Sequence, residues 1–135
     1  MEDRLIVVSS DSHAGIPKEL WPEYLDPKYR DEFDAWRNRY KNPFRDLQDG
    51  GRVRNWDDDR RLGDLYADRQ VAEVIYPNTV PPFFPSFVLF AKPPTAEQYE
   101  LRRAGLQAHN RWLADFCSRY PNQRAGIGQR SEEHV

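Results

Sequence analysis

Cysteine is nearly absent: Cys117 stands alone among 135 residues, which excludes an internal disulfide framework and any cysteine-rich zinc module. A charge excess of either sign is lacking too. With 20 basic residues against 22 acidic ones and a net charge of -2, no global field recruits nucleic acid or an anionic membrane. Long apolar runs are missing as well. The opening MEDRLIVVSS holds an acid at position 2 and only four consecutive aliphatic residues, too few for a secretory leader or a membrane span of about 18 residues. A cytoplasmic location is the expectation. No repeat recurs at a fixed period, and no segment is of low complexity.

What remains is ordinary globular material. A chain of this length, 39% hydrophobic and 31% charged, can close one domain around a core, and residues 1–135 are expected to form a single unit. Leu5 to Ser9 is an uninterrupted aliphatic run that predicts a strand buried on both faces. Asp26-Pro27 supplies a cap and a first-turn proline, after which Tyr29, Phe33, Trp36 and Tyr40 recur at helical spacing as one aromatic face. A short helix over 60–68, behind the acids at 57–59, would turn Leu62, Leu65 and Tyr66 inward. Val71 to Tyr76 predicts a second strand. Thr95 and Gln98 form a capping box before a helix reaching about Arg119, with Leu101, Ala104, Ala108, Trp112 and Phe116 on one side. Arg124 to Gln129 begins a third short strand. The order strand, helix, strand, helix, strand implies an α/β fold with parallel pairing through crossovers.

Chemistry concentrates where the first strand ends. Side chains at i and i+2 share a strand face, so Asp11 and His13 can aim at one point. Such a pair can bind a metal, form an acid-imidazole hydrogen bond, or close the strand with polar turn residues. Asn78 and the segment PPFFPSFVLF follow the second strand. Its prolines bar regular structure and its phenylalanines make it too apolar for a free loop, so it must lie against something. Phe83 and Phe84 either wall a substrate pocket or pack on neighbouring loops. Trp21 either approaches that pocket or packs in the core. His109 lies within the long helix, where a solvated or hydrogen-bonded structural role is expected, and Cys117 is expected to act as a small buried apolar residue.

Three blocks carry a resemblance: VVSSDSHAGIPKELWPEYLDPKYRD, AEVIYPNTVPPFF and YELRRAGLQAHNRWLADFCSRYPNQRAGIGQ. Together they span Leu5 to Gln129, and in this order they resemble the N-terminal third of the amidohydrolase-related family, which includes aminocarboxymuconate-semialdehyde decarboxylase-like enzymes. The resemblance implies an incomplete (β/α)8 TIM barrel: its first three parallel strands, their crossover helices and a long insertion after the first strand. It implies that Asp11 and His13 are metal ligands at the C-terminal end of that strand, where such barrels keep their active sites. The ion would be divalent, zinc first and manganese as the alternative, because a carboxylate at the first ligand position is a harder donor than histidine.

The implied activity is hydrolysis of a C–N, C–O or C–C bond, or nonoxidative decarboxylation, on a small carboxylate or amide substrate. Asn78, Phe83, Phe84 and Trp21 are the implied substrate-side residues. No catalytic acid or base is expected within this chain, since the family's remaining ligands and its proton-moving aspartate lie in later strands. A noncatalytic truncated fragment, a homo-oligomer, or a module completing its barrel with a partner chain is the alternative expectation. Asp68-Arg69-Gln70 departs from the family's Asp-Gly at that point, which predicts loss of the usual left-handed helix stop.

Overall fold

The computed structural model describes residues 5–41, 50–86 and 91–130. Strand β1 (Val8–Ala14) leads through a short 3-10 turn into the one-turn helix α1 (Trp21–Tyr24), and α2 (Arg30–Arg39) follows. Helix α3 (Asp58–Ala67), strand β2 (Ala72–Pro77), the 23-residue helix α4 (Ala96–Ser118) and strand β3 (Arg124–Gly126) complete the order. The three strands form one parallel sheet in the order β1-β2-β3, so the fold is mixed α/β as the alternation of elements implies. Among the described residues no helix is long and apolar enough to cross a membrane.

Each helix begins where its sequence dictates. Thr95 and Gln98 exchange the two bonds of a capping box ahead of α4, and Asp57 accepts from the Arg60 amide ahead of α3. Asp26 caps not α2 but the 3-10 turn Pro27–Tyr29 that precedes it. Packing then follows spacing. Phe33 and Trp36 are buried, Tyr29 and Tyr40 lie against them, and Ala104, Ala108, Trp112 and Phe116 present the inner face of α4 to the same cluster.

The PPFF segment lies on this helix layer. At Gly105 a Cβ would collide with the Pro82 backbone oxygen, so the small stripe of α4 lets the proline loop sit directly on the helix. The Trp36 indole donates to the Phe84 carbonyl at 2.8 Å. Phe83, pinned between these anchors, holds φ 72, a left-handed conformation that costs a bulky residue about 1–2 kcal/mol.

Among the described residues the sheet is covered on one face only. Glu73, Ile75 and Arg124 point into the helix layer and are buried, whereas Tyr76 and Ile127 are exposed on the other side. This corrects the expectation of a first strand buried on both faces. Leu5 and Ile6 precede β1 with 88% and 80% of their surface exposed, because no helix crosses that side among the described residues. The inner face of α3 also differs from its pattern. Arg61 and Leu65 are buried while Tyr66 faces solvent, since Arg61 has a buried carboxylate to meet and Tyr66 does not.

Arg69 overturns a further expectation. Despite the missing glycine, α3 ends in a complete left-handed stop: the Arg69 amide donates to the Tyr66 carbonyl and the Gln70 amide to the Leu65 carbonyl, both at 3.0 Å, with Arg69 at φ 58. The carbonyls at the helix end outweigh the residue's own preference. Arg69→Gly is therefore expected to raise stability by about 1 kcal/mol, or about 4 °C in Tm, measured by thermal unfolding. An unchanged or lowered Tm would show that the stop is unstrained.

Candidate functional site

A bulge sets the geometry of the strand end. Ser9 pairs with Glu73 and Ser12 with Ile75, so Ser10 and Asp11 together oppose the single residue Val74. The extra residue resets the alternation. Ser9 and Ser12 both take the helix side, where the Ser12 hydroxyl donates to that of Ser9 at 3.0 Å, and Asp11 and His13 share the bare face. Asp11 Oδ1 stands 3.3 Å from His13 Nε2, with the two side chains 83% and 51% exposed. The Tyr76 ring, paired in register with His13, lies 6.1 Å from the imidazole.

The donor set suits a divalent ion. Ligand atoms about 2.0–2.1 Å from a tetrahedral ion stand about 3.3 Å apart, and a hard oxygen beside an imidazole nitrogen is acceptable to zinc and manganese alike. Two donors are half a site. Among the described residues no group of three or more His, Cys, Asp or Glu is placed to hold a metal, so the pair has no third protein ligand there.

Behind the pair, the strand ends are tied together. The Asn78 amide N–H donates to the Ala14 carbonyl at 2.9 Å, its side-chain Nδ2 donates to Asn55 Oδ1 at 2.8 Å, and the Gly15 amide donates to the Asn55 carbonyl at 3.1 Å. Gly15 has to be glycine, since a Cβ would stand 2.5 Å from Thr79 Cγ2. Asn78 thus sits at the expected end of the sheet, doing structural work. The other three candidates do not join it. Trp21 is fully buried against His109, Phe83 packs on Tyr29 and Trp36, and Phe84 lies under the Arg102 guanidinium.

Sequence reasoning missed a buried ionic network on the opposite face. Arg61 meets Glu73 in a two-pronged pair at 2.7 Å on each arm, and Arg124 reaches Asp58 at 2.6 Å and Glu73 at 3.7 Å. The Arg124 guanidinium also lies 3.9 Å from the centre of the Phe116 ring. Alternation held the signal, because Glu73 shares a face with Ile75 in any strand containing both. His109 departs from expectation in another way. It is fully buried and has no hydrogen-bond partner among the described residues, and burial pushes its pKa down from 6.5 to about 4. Cys117 is half-buried with its thiol pKa raised, chiefly by burial, which keeps it protonated and unreactive.

No protein-family model, no curated protein and no solved structure matches this chain.

Proposed function

We propose that this chain is the metal-presenting N-terminal part of an amidohydrolase-related enzyme, and that its sheet is the first portion of an incomplete (β/α)8 barrel. The observation that carries the reading is the pair Asp11 Oδ1 and His13 Nε2, 3.3 Å apart on the uncovered face of the first of three parallel strands. In barrels of this kind the bare face is the interior and the strands' C-terminal ends hold the reaction.

Asp11 and His13 would hold the ion, the carboxylate offsetting part of its charge and the imidazole supplying a neutral donor. The ion, zinc or manganese, supplies Lewis acidity toward a small carboxylate or amide substrate for hydrolysis or decarboxylation. Asn78, one residue beyond β2 at the same end, would orient that substrate through its Oδ1, its Nδ2 being held by Asn55. Catalytic acid-base groups belong outside this chain in this reading. A cytoplasmic setting goes with it, since a single half-buried thiol suits a reducing compartment.

Equilibrium dialysis against zinc or manganese, followed by elemental analysis, tests the proposal. Two donors hold an ion weakly, so uptake by the wild type is expected to rise toward one ion per chain only at high metal concentration, and to be lost in the Asp11→Ala, His13→Ala double variant. Equal uptake by both, or uptake by neither, would overturn it. A second reading, a noncatalytic module that pairs through its sheet with a second copy or a complementing chain, is favoured by the exposed Leu5, Ile6, Val8, Val71 and Ile127. Concentration-dependent association without metal uptake would select it.

A further inference from the structure

The Arg61 guanidinium makes four hydrogen bonds to three separate parts of the chain. Two go to the Glu73 carboxylate on β2, one from Nη1 to the His13 carbonyl at 2.8 Å, and one from Nη1 to the Arg54 carbonyl at 3.1 Å. The His13 bond is unusual for its place. Ala14 turns its carbonyl to the Asn78 amide on the β2 side, so alternation turns the His13 carbonyl away from β2, where the ladder offers no donor. Arg61 supplies one, and Glu73 holds Arg61 in place.

We propose that Arg61, oriented by Glu73, is a positioning residue for the metal centre: it fixes the backbone from which the His13 imidazole projects. The inference rests on the reading of Asp11 and His13 as ligands. Beyond the bulge Ser12, His13 and Ala14 resume their register with β2, and Arg61 adds an anchor on the strand's other edge, where the His13 carbonyl points. A fork clamped at both prongs gives that anchor more rigidity than a single flexible donor would. Neither Arg61 nor Glu73 touches the ion's position; both act through the His13 main chain.

Arg124 provides the control, because it is equally buried and belongs to the same network, but its partners among the described residues are Asp58, Glu73 and the Phe116 carbonyl, none of them on β1. Arg61→Met paired with Glu73→Gln avoids stranding the carboxylate charge, and Arg61→Met alone serves as the second variant. Two quantities are read in the intact 135-residue chain: zinc affinity by titration, and amide hydrogen exchange at Gly15 and Asn78, the amides bonded at the strand end. The expected result is zinc binding weakened about 10-fold with faster exchange at Gly15 in the Arg61 variants. Arg124→Met is expected to lower thermal stability while leaving both readouts near wild type.

Unchanged zinc affinity in a folded Arg61 variant would overturn the inference. Equal weakening by Arg124→Met would overturn it too, by showing a general loss of packing. Faster exchange in the Arg61 variants of a protein whose wild type takes up no zinc would instead overturn the metal reading on which the inference rests. Unaltered exchange would remove the clamp whatever the zinc result.

Discussion

Glu73→Ala is expected to lower the unfolding free energy by about 3–5 kcal/mol, read from urea unfolding followed by far-ultraviolet circular dichroism. The size follows from what the deletion leaves behind. Arg61 keeps only two main-chain carbonyls as partners, and its charge stays buried between α3 and the sheet. Arg124 keeps Asp58 at 2.6 Å and the Phe116 ring, so it is the lesser casualty. A domain of this size has about 5–15 kcal/mol in total, so the loss consumes a large share of it. Removing both charges is expected to behave differently. Glu73→Leu with Arg61→Met replaces the pair by apolar atoms of similar length and should recover most of the loss, since a buried ion pair is costly to break yet adds little over good packing. A loss below about 1 kcal/mol for Glu73→Ala would show that water or another cation already compensates the site.

The same network marks the boundary of what the sequence could say. Tyr29, Phe33, Trp36 and Tyr40 announced their common face because aromatic rings at helical spacing have one way to be buried. Asp11 and His13 were legible for a similar reason, as strand geometry puts i and i+2 together. Charged residues carry the opposite prior. Arg61, Glu73 and Arg124 belong to types that are almost never fully buried unless paired, and the pairing is a tertiary fact joining α3, β2 and β3. With Arg61 committed to Glu73, α3 buries Leu65 as the apolar pattern has it but turns Tyr66 outward against it. The aliphatics at 5–8 misled in turn because hydrophobicity reports a wish for burial without saying whether a covering layer is at hand. Two backbone conformations left no trace at all: arginine and phenylalanine have no preference for positive φ, and only the bonds around Arg69 and the anchors around Phe83 place them there. The bulge at Ser10 and Asp11 was equally silent, though it decides which way Ser9 points.

Acidification is expected to destabilise this protein through His109, by about 3 kcal/mol between pH 6.5 and pH 4. Burial alone holds the imidazole's pKa at about 4 against an ordinary 6.5, and neither ring nitrogen has a hydrogen-bond partner among the described residues. Between those values the unfolded chain carries a proton on His109 that the folded chain does not. Stability is therefore complete above about pH 6.5 and falls as the pH drops toward 4, the direction required of a group whose folded pKa is depressed. The flanking rings do not rescue the cation. Trp21 and Trp112 lie 6.2 and 5.7 Å away at interplanar angles of 49° and 52°, tilted rather than face-on, so cation-π attraction is weak. His109→Leu isolates the effect from the carboxylates that titrate in the same range. Urea unfolding at pH 7, 5.5 and 4.5 should show the variant losing less stability than wild type on acidification, the gap between them widening by about 2 kcal/mol. The variant should also be about 1 kcal/mol more stable at pH 7, because it no longer buries two unpaired ring nitrogens. Parallel pH profiles for the two proteins would mean that His109 finds a partner when protonated, and the packing of α1 on α4 would then have to open to provide it.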